Sequence, residues 1–293
     1  MLSESFDGKE IYFKNKEFGY IYMHSFDKKP DNSSFKLHNH NNVHEILIFI
    51  KGNSKFNVEG TTYYMTPFDI VVARSSEMHR MCHLEPLCEY DRIIFNIDDS
   101  FFVKMGCPEL KKVFTDRPLG INNLISAKQA EKHNISDIIK RLEEYIKDDD
   151  VSREIVIRST IIELLYKLNK ISVKSDKKSF SEEKVKDILM YINDNLTSSI
   201  GLCEIADRFF LSKYYLCHMF KEQTGLTINQ YISYKRIMLV RELCAKGSNI
   251  TDASIEAGFG DYSNFYKIYK KETGHSPKKD LIKNNWPYGY MML

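Results

Sequence analysis

No stretch of this 293-residue chain is apolar for long enough to cross a bilayer. The opening MLSESFDGKE lacks both the basic and the apolar region of an export signal. Six cysteines, at positions 82, 88, 107, 203, 217 and 244, contain no CxxC pair. That excludes a cysteine-built zinc ribbon and argues against a disulfide framework, so reduced thiols in a cytoplasm are expected. Neither sign of charge dominates, with 42 Lys+Arg against 40 Asp+Glu and a net charge of +2. A nucleic-acid partner cannot be argued from that bulk figure.

The distribution of charge says more. Residues 1–181 carry 27 basic and 27 acidic side chains, whereas residues 213–293 carry 12 and 7. The excess lies at the C-terminal end, where a polyanion would be met. The length suits two domains better than one core.

The texture changes along the chain. Up to about residue 100, EILIFIKG (Glu45–Gly52), KFNV, TTYYM, DIVVA (Asp69–Ala73) and YDRIIFNI (Tyr90–Ile97) read as short strands punctuated by turn residues, as in a sandwich or barrel. From Ala127 to Lys147, residues Ile135, Ile138, Ile139, Leu142, Tyr145 and Ile146 keep a helical period. From Ser152 to Leu168, Ile155, Val156, Ser159, Ile162, Leu165 and Tyr166 repeat it; two adjacent amphipathic helices are most often domain core, and this pair is also the expected dimer seam. SVKSDKKSFS (172–181) reads as a linker, and from Glu182 the pattern is helical until the tail NNWPYGYMML.

The C-terminal part contains a duplication. SKYYLCHMFKEQTG (Ser212–Gly225) is echoed forty-nine residues later by DYSNFYKIYKKETG (Asp261–Gly274). Each follows a short amphipathic segment and a turn, as the second helix of a helix-turn-helix does. Leu202, Ile205 and Ala206 form the inner face of the first unit's leading helix, and Phe210-Leu211 makes its turn. In the second unit Ile250, Ala253, Ser254 and Ile255 are placed inward, with Gly258-Phe259 in the turn and a positive φ expected at Gly258. Ser212 and Asp261 are the expected N-caps. Tyr215, Leu216, Met219 and Phe220 are placed inward in the first recognition helix, and Phe265, Ile268 and Tyr269 in the second.

A recognition helix touches base edges with its outer N-terminal residues. The DNA-contacting set is therefore Ser212, Lys213, Tyr214, Cys217, His218 and Lys221 in the first unit. In the second it is Tyr262, Ser263, Asn264, Tyr266, Lys267, Lys270 and Lys271. Tyr214, Cys217 and His218 are expected at bases, and Lys213, Lys221, Lys270 and Lys271 at phosphates. Cys217 is the weakest base reader of these, because a thiol is a poor donor. The helix Ile228–Lys246, ended by Gly247, spans about 28 Å, close to one turn of major groove.

These residues resemble the DNA-binding domain of the AraC/XylS family of bacterial transcription regulators. Leu216, Phe220-Lys221, Gly225, Tyr231 and Arg236 carry the likeness in the first unit and linking helix. Gly258-Phe259, Phe265, Gly274 and Ser276-Pro277 carry it in the second. Two departures stand out: the small pair Ala253-Ser254, and Lys279-Asp280 where an aromatic-Arg is usual. The resemblance implies a transcription regulator binding double-stranded DNA as a homodimer, with RNA polymerase as a partner if it activates.

In the N-terminal half, His38-x-His40, Glu45 and Gly52 have the spacing of the first cupin motif, and Pro67-Phe68-Asp69 with His79 resemble the second. In cupin enzymes such residues bind one divalent metal. In sensor domains of AraC-type regulators they line a small-molecule pocket, and a histidine at a strand end is often only hydrogen-bonded. The expectation is a ligand pocket of His38, His40, Glu45, Tyr64 and His79 with no metal, no cofactor and no catalytic residue. A metal-dependent cupin enzyme with a DNA-binding appendage is the alternative.

The fold class expected is multidomain α+β. A cupin-like ligand-sensing barrel occupies 1–120, a helical dimerisation segment 121–171 and a linker 172–181. An all-α domain with two helix-turn-helix units occupies 182–285, with a tail at 286–293.

Overall fold

The runs of branched and aromatic residues before residue 100 form strands in the computed structural model. It describes residues 10–28, 38, 40, 42–85, 89–171, 180–273 and 276–278. The strands are β1 (Ile11–Asn15), β2 (Tyr20–Asp27), β3 (Val43–Lys51), β4 (Ser54–Val58), β5 (Thr61–Tyr64), β6 (Ile70–Ala73), β7 (His79–His83), β8 (Tyr90–Asp98) and β9 (Leu124–Ile125). All pairings are antiparallel, in two sheets ordered β1-β2-β8-β3-β6-β9 and β5-β4-β7.

Successive side chains of a strand point to opposite faces. On β3 this sends Ile46, Ile48 and Ile50 to one side of the large sheet and Leu47 and Phe49 to the other. The second side faces the small sheet across an apolar interior that includes Phe56, Val58, Met65, Val71 and Met81. Glu45 shares the parity of Leu47 and is carried to that interior end, fully covered.

The first side is covered by helices. They are α1 (Asp99–Lys104), a 3-10 turn Pro108–Lys111, α2 (Lys112–Thr115), α3 (Ala127–Lys132), α4 (Ile135–Lys147) and α5 (Arg153–Asn169). Ile135, Ile138, Ile139 and Leu142 of α4 share one core with Tyr22, Ile46 and Phe95. Each such burial contributes roughly 1.5–3 kcal/mol. The helical pair is thus part of the same body as the sheet, and β9 carries the sheet past the expected boundary at 120.

The inward face of α5 differs from the expected one. Ile157, Ile161, Leu164, Leu165 and Leu168 are buried, while Ile155, Val156 and Tyr166 are exposed. The helix is apolar on two faces, and its more aliphatic stripe takes the core. Of the residues expected inward on α5, only Leu165 is fully buried.

The C-terminal helices are α6 (Phe180–Asp194), α7 (Leu202–Arg208), α8 (Lys213–Thr224), α9 (Ile228–Ala245), α10 (Ile250–Glu256) and α11 (Tyr262–Thr273). They close on a second core containing Ile188, Ile205, Leu216, Phe220, Tyr231, Ile237, Ala253, Phe265 and Tyr269. Met78, just before β7, belongs to this second core and so joins the two bodies. Most of the expected linker, the tail, Gly274 and Lys279-Asp280 lie outside the described residues. No described helix is long and apolar enough to cross a membrane.

Candidate functional site

α8 and α11 follow their turns by related means. In the first unit Leu211 N–H donates to Ala206 O at 2.9 Å, with Phe210 at φ +56°. In the second Phe259 N–H donates to Ser254 O at 3.1 Å, with Gly258 at φ +91°. A Cβ on Gly258 would lie 2.8 Å from Thr197 O, so both the left-handed backbone and the close approach require glycine. Ser212 follows Leu211 directly, whereas Gly260 is interposed between Phe259 and Asp261. The second turn is therefore one residue longer, which is why helix starts repeat at forty-nine while turns repeat at forty-eight.

The caps form as expected. Tyr215 N–H donates to Ser212 Oγ at 3.2 Å, and Asn264 N–H to Asp261 Oδ1 at 2.7 Å. With Leu216 and Phe220 buried in α8, and Phe265 and Tyr269 in α11, the opposite faces are left open. Lys213, Tyr214, Cys217, His218 and Lys221 lie on one, and Ser263, Tyr266, Lys267, Lys270 and Lys271 on the other. Tyr214 is 82% exposed and stacks on His218, an unusual placement for an aromatic without a partner surface.

Three residues depart from their expected placing, and a fourth, exposed as expected, is tied to the turn. Tyr215 was placed inward but is largely exposed, because it sits at the edge of the buried stripe. Ile255 is likewise exposed, while Ala253, Ser254 and Ala257 fill the inner face of α10. Tyr262 is half-buried against Phe265 and Tyr266. Asn264 is exposed, but its amide donates to Phe259 O at 2.9 Å and is held in the turn.

α9 fixes the spacing of the two units. Its start carries a capping box between Thr227 and Gln230. Arg236 donates from Nε to Leu196 O at 2.8 Å and from Nη2 to Ser198 O at 2.6 Å, ahead of the first unit. Arg241 reaches Tyr269 Oη at 3.1 Å, and Tyr234 donates to Glu272 Oε2 at 2.5 Å, both on α11. One helix of 18 residues, about 27 Å long, is thereby tied to both units.

The second cluster lies inside the β-structure. His38 pairs with His79 through two backbone bonds of 2.8 and 2.9 Å. His40 Nε2 lies 3.0 Å from Glu45 Oε2, and His79 Nε2 3.7 Å from Glu45 Oε1. Burial alone would raise the Glu45 carboxyl, but the imidazoles of His79 and His40 hold it well below the usual carboxylate range. Burial alone would lower His79, and the Glu45 charge reverses that. Phe56 stacks on the His79 ring.

Four of the five expected pocket residues are thus brought together. Tyr64 is not: it is 66% exposed near the end of β5. Its neighbour Tyr63 turns inward instead and donates to Gly120 O at 3.2 Å, with burial pushing its hydroxyl up to about 12. Two surface grooves, of about 610 and 510 Å³, lie elsewhere, one beside Leu110, Arg117 and Tyr166 and the other beside Phe68, Ala130 and Ile139.

The sequence reading missed a third constellation, where the bodies meet. Glu59, in the β4–β5 turn, accepts from Lys235 Nζ at 2.9 Å and from the hydroxyl of Tyr231. A carboxylate before a glycine in a hairpin turn carries no sign of burial, and its partners are 172 and 176 residues away.

A helix-turn-helix domain family matches residues 205–281. The HTH-type transcriptional activator RhaS of Escherichia coli (strain SMS-3-5 / SECEC) is 24% identical over 244 residues, covering 82% of this chain and 85% of that protein. RhaS of Klebsiella pneumoniae (strain 342) is 25% identical over 251 residues, covering 84% and 87%. Among solved structures, ToxT of Vibrio cholerae covers 90% of this chain and 98% of its own, at 16% identity and a TM-score of 0.36.

Proposed function

We propose that the chain acts as a DNA-binding transcription regulator of the AraC/XylS type and that its parts divide the work as follows. α8 and α11 enter two successive stretches of major groove on one face of the duplex. His218 and Lys267, at equivalent places on the open faces, read bases, while Lys213, Lys221, Lys270 and Lys271 hold phosphates. Two copies associate through the exposed stripe of α5 and occupy two half-sites. An effector held by His38, His40, Glu45 and His79 shifts the balance between arrangements of the pair by binding one better than the other. RhaS is a transcriptional activator; if this chain activates as well, RNA polymerase is the corresponding protein partner. The role is regulatory rather than catalytic.

The observation that carries this reading is the pair of open, capped, basic-aromatic helix faces tied to one rigid helix. Selection of binding sites from random DNA tests it. His218→Ala and Lys267→Ala should each cost about 1–3 kcal/mol on the selected site and little on random DNA. Preference should relax at two positions roughly ten base pairs apart, since successive major-groove faces repeat at that distance. Relaxation at adjacent positions would refute the two-groove docking.

A further inference from the structure

Phe210 stands out in two independent ways. Its φ of +56° lies in the left-handed region, where a bulky side chain is strained. Its ring is 93% exposed, so no packing against the described residues offsets that strain. Backbone strain of this kind concentrates at functional surfaces.

The internal repeat shows what such a turn is for. Helices α6–α8 and α9–α11 are two versions of one three-helix unit. α6 starts at Phe180 and α9 at Ile228, α7 at Leu202 and α10 at Ile250, each pair 48 residues apart. On that register Phe210 corresponds to Gly258. Phe210 N–H donates to Asp207 O at 3.2 Å, and Gly258 N–H to Ile255 O at 2.9 Å. Likewise Leu196, Thr197 and Ser198, ahead of α7, correspond to Cys244, Ala245 and Lys246, ahead of α10.

Within the chain, the turn of the second unit is seated on the loop of the first. A Cβ on Gly258 would stand 2.8 Å from Thr197 O and 3.0 Å from Nε of Arg236, which itself holds Leu196 O and Ser198 O. Two units in series use one turn and one loop in this contact and leave one of each over. The turn left over is the one that carries Phe210. The loop left over is Ala245, Lys246 and Gly247, all exposed, and a Cβ on Gly247 would meet nothing described within 4 Å.

The two turns differ in how far they reach. Glycine lets backbones touch inside one chain, where α9 already links the units. Arg236 has the buried Ile188 as its counterpart, so the first unit repeats neither the close approach nor the guanidinium clamp. A phenyl ring in place of glycine spans the wider gap between two separate chains.

We propose that Phe210 of one copy packs on the exposed loop at Ala245, Lys246 and Gly247 of a second copy bound at the next site on the same DNA. The proposal rests on the regulator reading. Two different, complementary patches on one molecule make a heterologous contact, which suits copies laid in series. A single ring is too little to join chains in free solution, and neighbouring sites on one duplex supply the local concentration. Each copy takes two turns of DNA, so the sites repeat about every 20–21 base pairs in one orientation. Burial of the ring makes the second copy bind roughly tenfold tighter than the first.

The test titrates the full chain on duplexes read by footprinting. One duplex carries a single selected site, one carries two sites abutted at that repeat, and one has about ten further base pairs between them. Association through α5 contributes to both paired duplexes. The signature is the excess at the abutted spacing, roughly tenfold. Phe210→Gly removes the ring and the strain together. It should abolish the excess, leave single-site affinity unchanged and keep or raise the thermal midpoint. Phe210→Asn, which also tolerates the left-handed backbone, should do the same. Ala245→Glu, on the opposite patch, should abolish the excess as well.

An excess that survives Phe210→Gly or Ala245→Glu overturns the proposal. Weaker single-site binding by Phe210→Gly would make the ring a DNA contact, and a lowered midpoint would mean that its own chain covers it. Either result overturns the proposal too. Single-site binding by the parent chain with no excess sinks the proposal alone, whereas no binding to any duplex sinks the regulator reading with it.

Discussion

His24 lies on β2 between two carboxylates from other elements, with Nδ1 2.6 Å from Glu143 of α4 and Nε2 3.1 Å from Asp91 of β8. Burial alone would lower its pKa, but the bonds to Asp91 and Glu143 raise it above 6.5. Burial alone would raise Glu143, but His24 and Tyr22 lower it below 4.5. A raised histidine stabilises fully below pH 6.5, and the contribution is lost as pH rises through the folded value. A lowered carboxylate stabilises above pH 4.5 and is lost as pH falls through its folded value. The tie is therefore strongest from pH 4.5 to 6.5. His24→Gln should cost about 1–3 kcal/mol near pH 6, measured by urea unfolding, and less at pH 8.5. A cost independent of pH would show that His24 is not charged in the fold. His24, like Glu59, is not recognisable as a partnered residue from its neighbours, because every partner is distant in sequence. His38, His40, Glu45 and His79 were recognisable because their spacing is itself the signal, while Tyr64 was misplaced by one step of strand parity beside the inward Tyr63.

At the scale of elements, α8 and α11 could be read closely from sequence because caps, period and turn residues all agree. Ser212, Asp261 and Gly258 stand where the geometry needs them. α5 could not, since a helix apolar on two faces gives no single stripe to assign. Its outer face carries the dimer prediction: Ile155→Glu with Tyr166→Glu should yield a monomer by sedimentation, with stability changed by no more than about 0.5 kcal/mol. Leu164→Ala, on the inner face, should instead cost about 2–5 kcal/mol. If the outer pair unfolded the chain, the face would be core rather than seam. In α10–α11, Gly258→Ala forces a left-handed alanine against Thr197 O. It should destabilise by about 1–3 kcal/mol and weaken specific binding more than random binding.

Across the whole molecule, the two bodies were legible as a change from strand to helix texture, but their contact was not. Glu59, Tyr231 and Lys235 meet only once both bodies have folded. The basic excess of residues 213–293 predicts that DNA affinity falls steeply with salt. Lys221→Ala should weaken binding to every sequence alike and lessen the log–log salt slope by about 1, read by fluorescence anisotropy between 50 and 200 mM salt. A change in preferred sequence instead would make Lys221 a base reader.

The additional residue in the second turn, Gly260, makes the two readers unequal, and α9 joins them in a fixed order. A stretch of DNA occupied by one copy therefore has a head and a tail. Reversing that stretch would present each helix with the wrong bases and the wrong lead-in. Such a site points along the duplex, and with it points whatever the bound protein recruits.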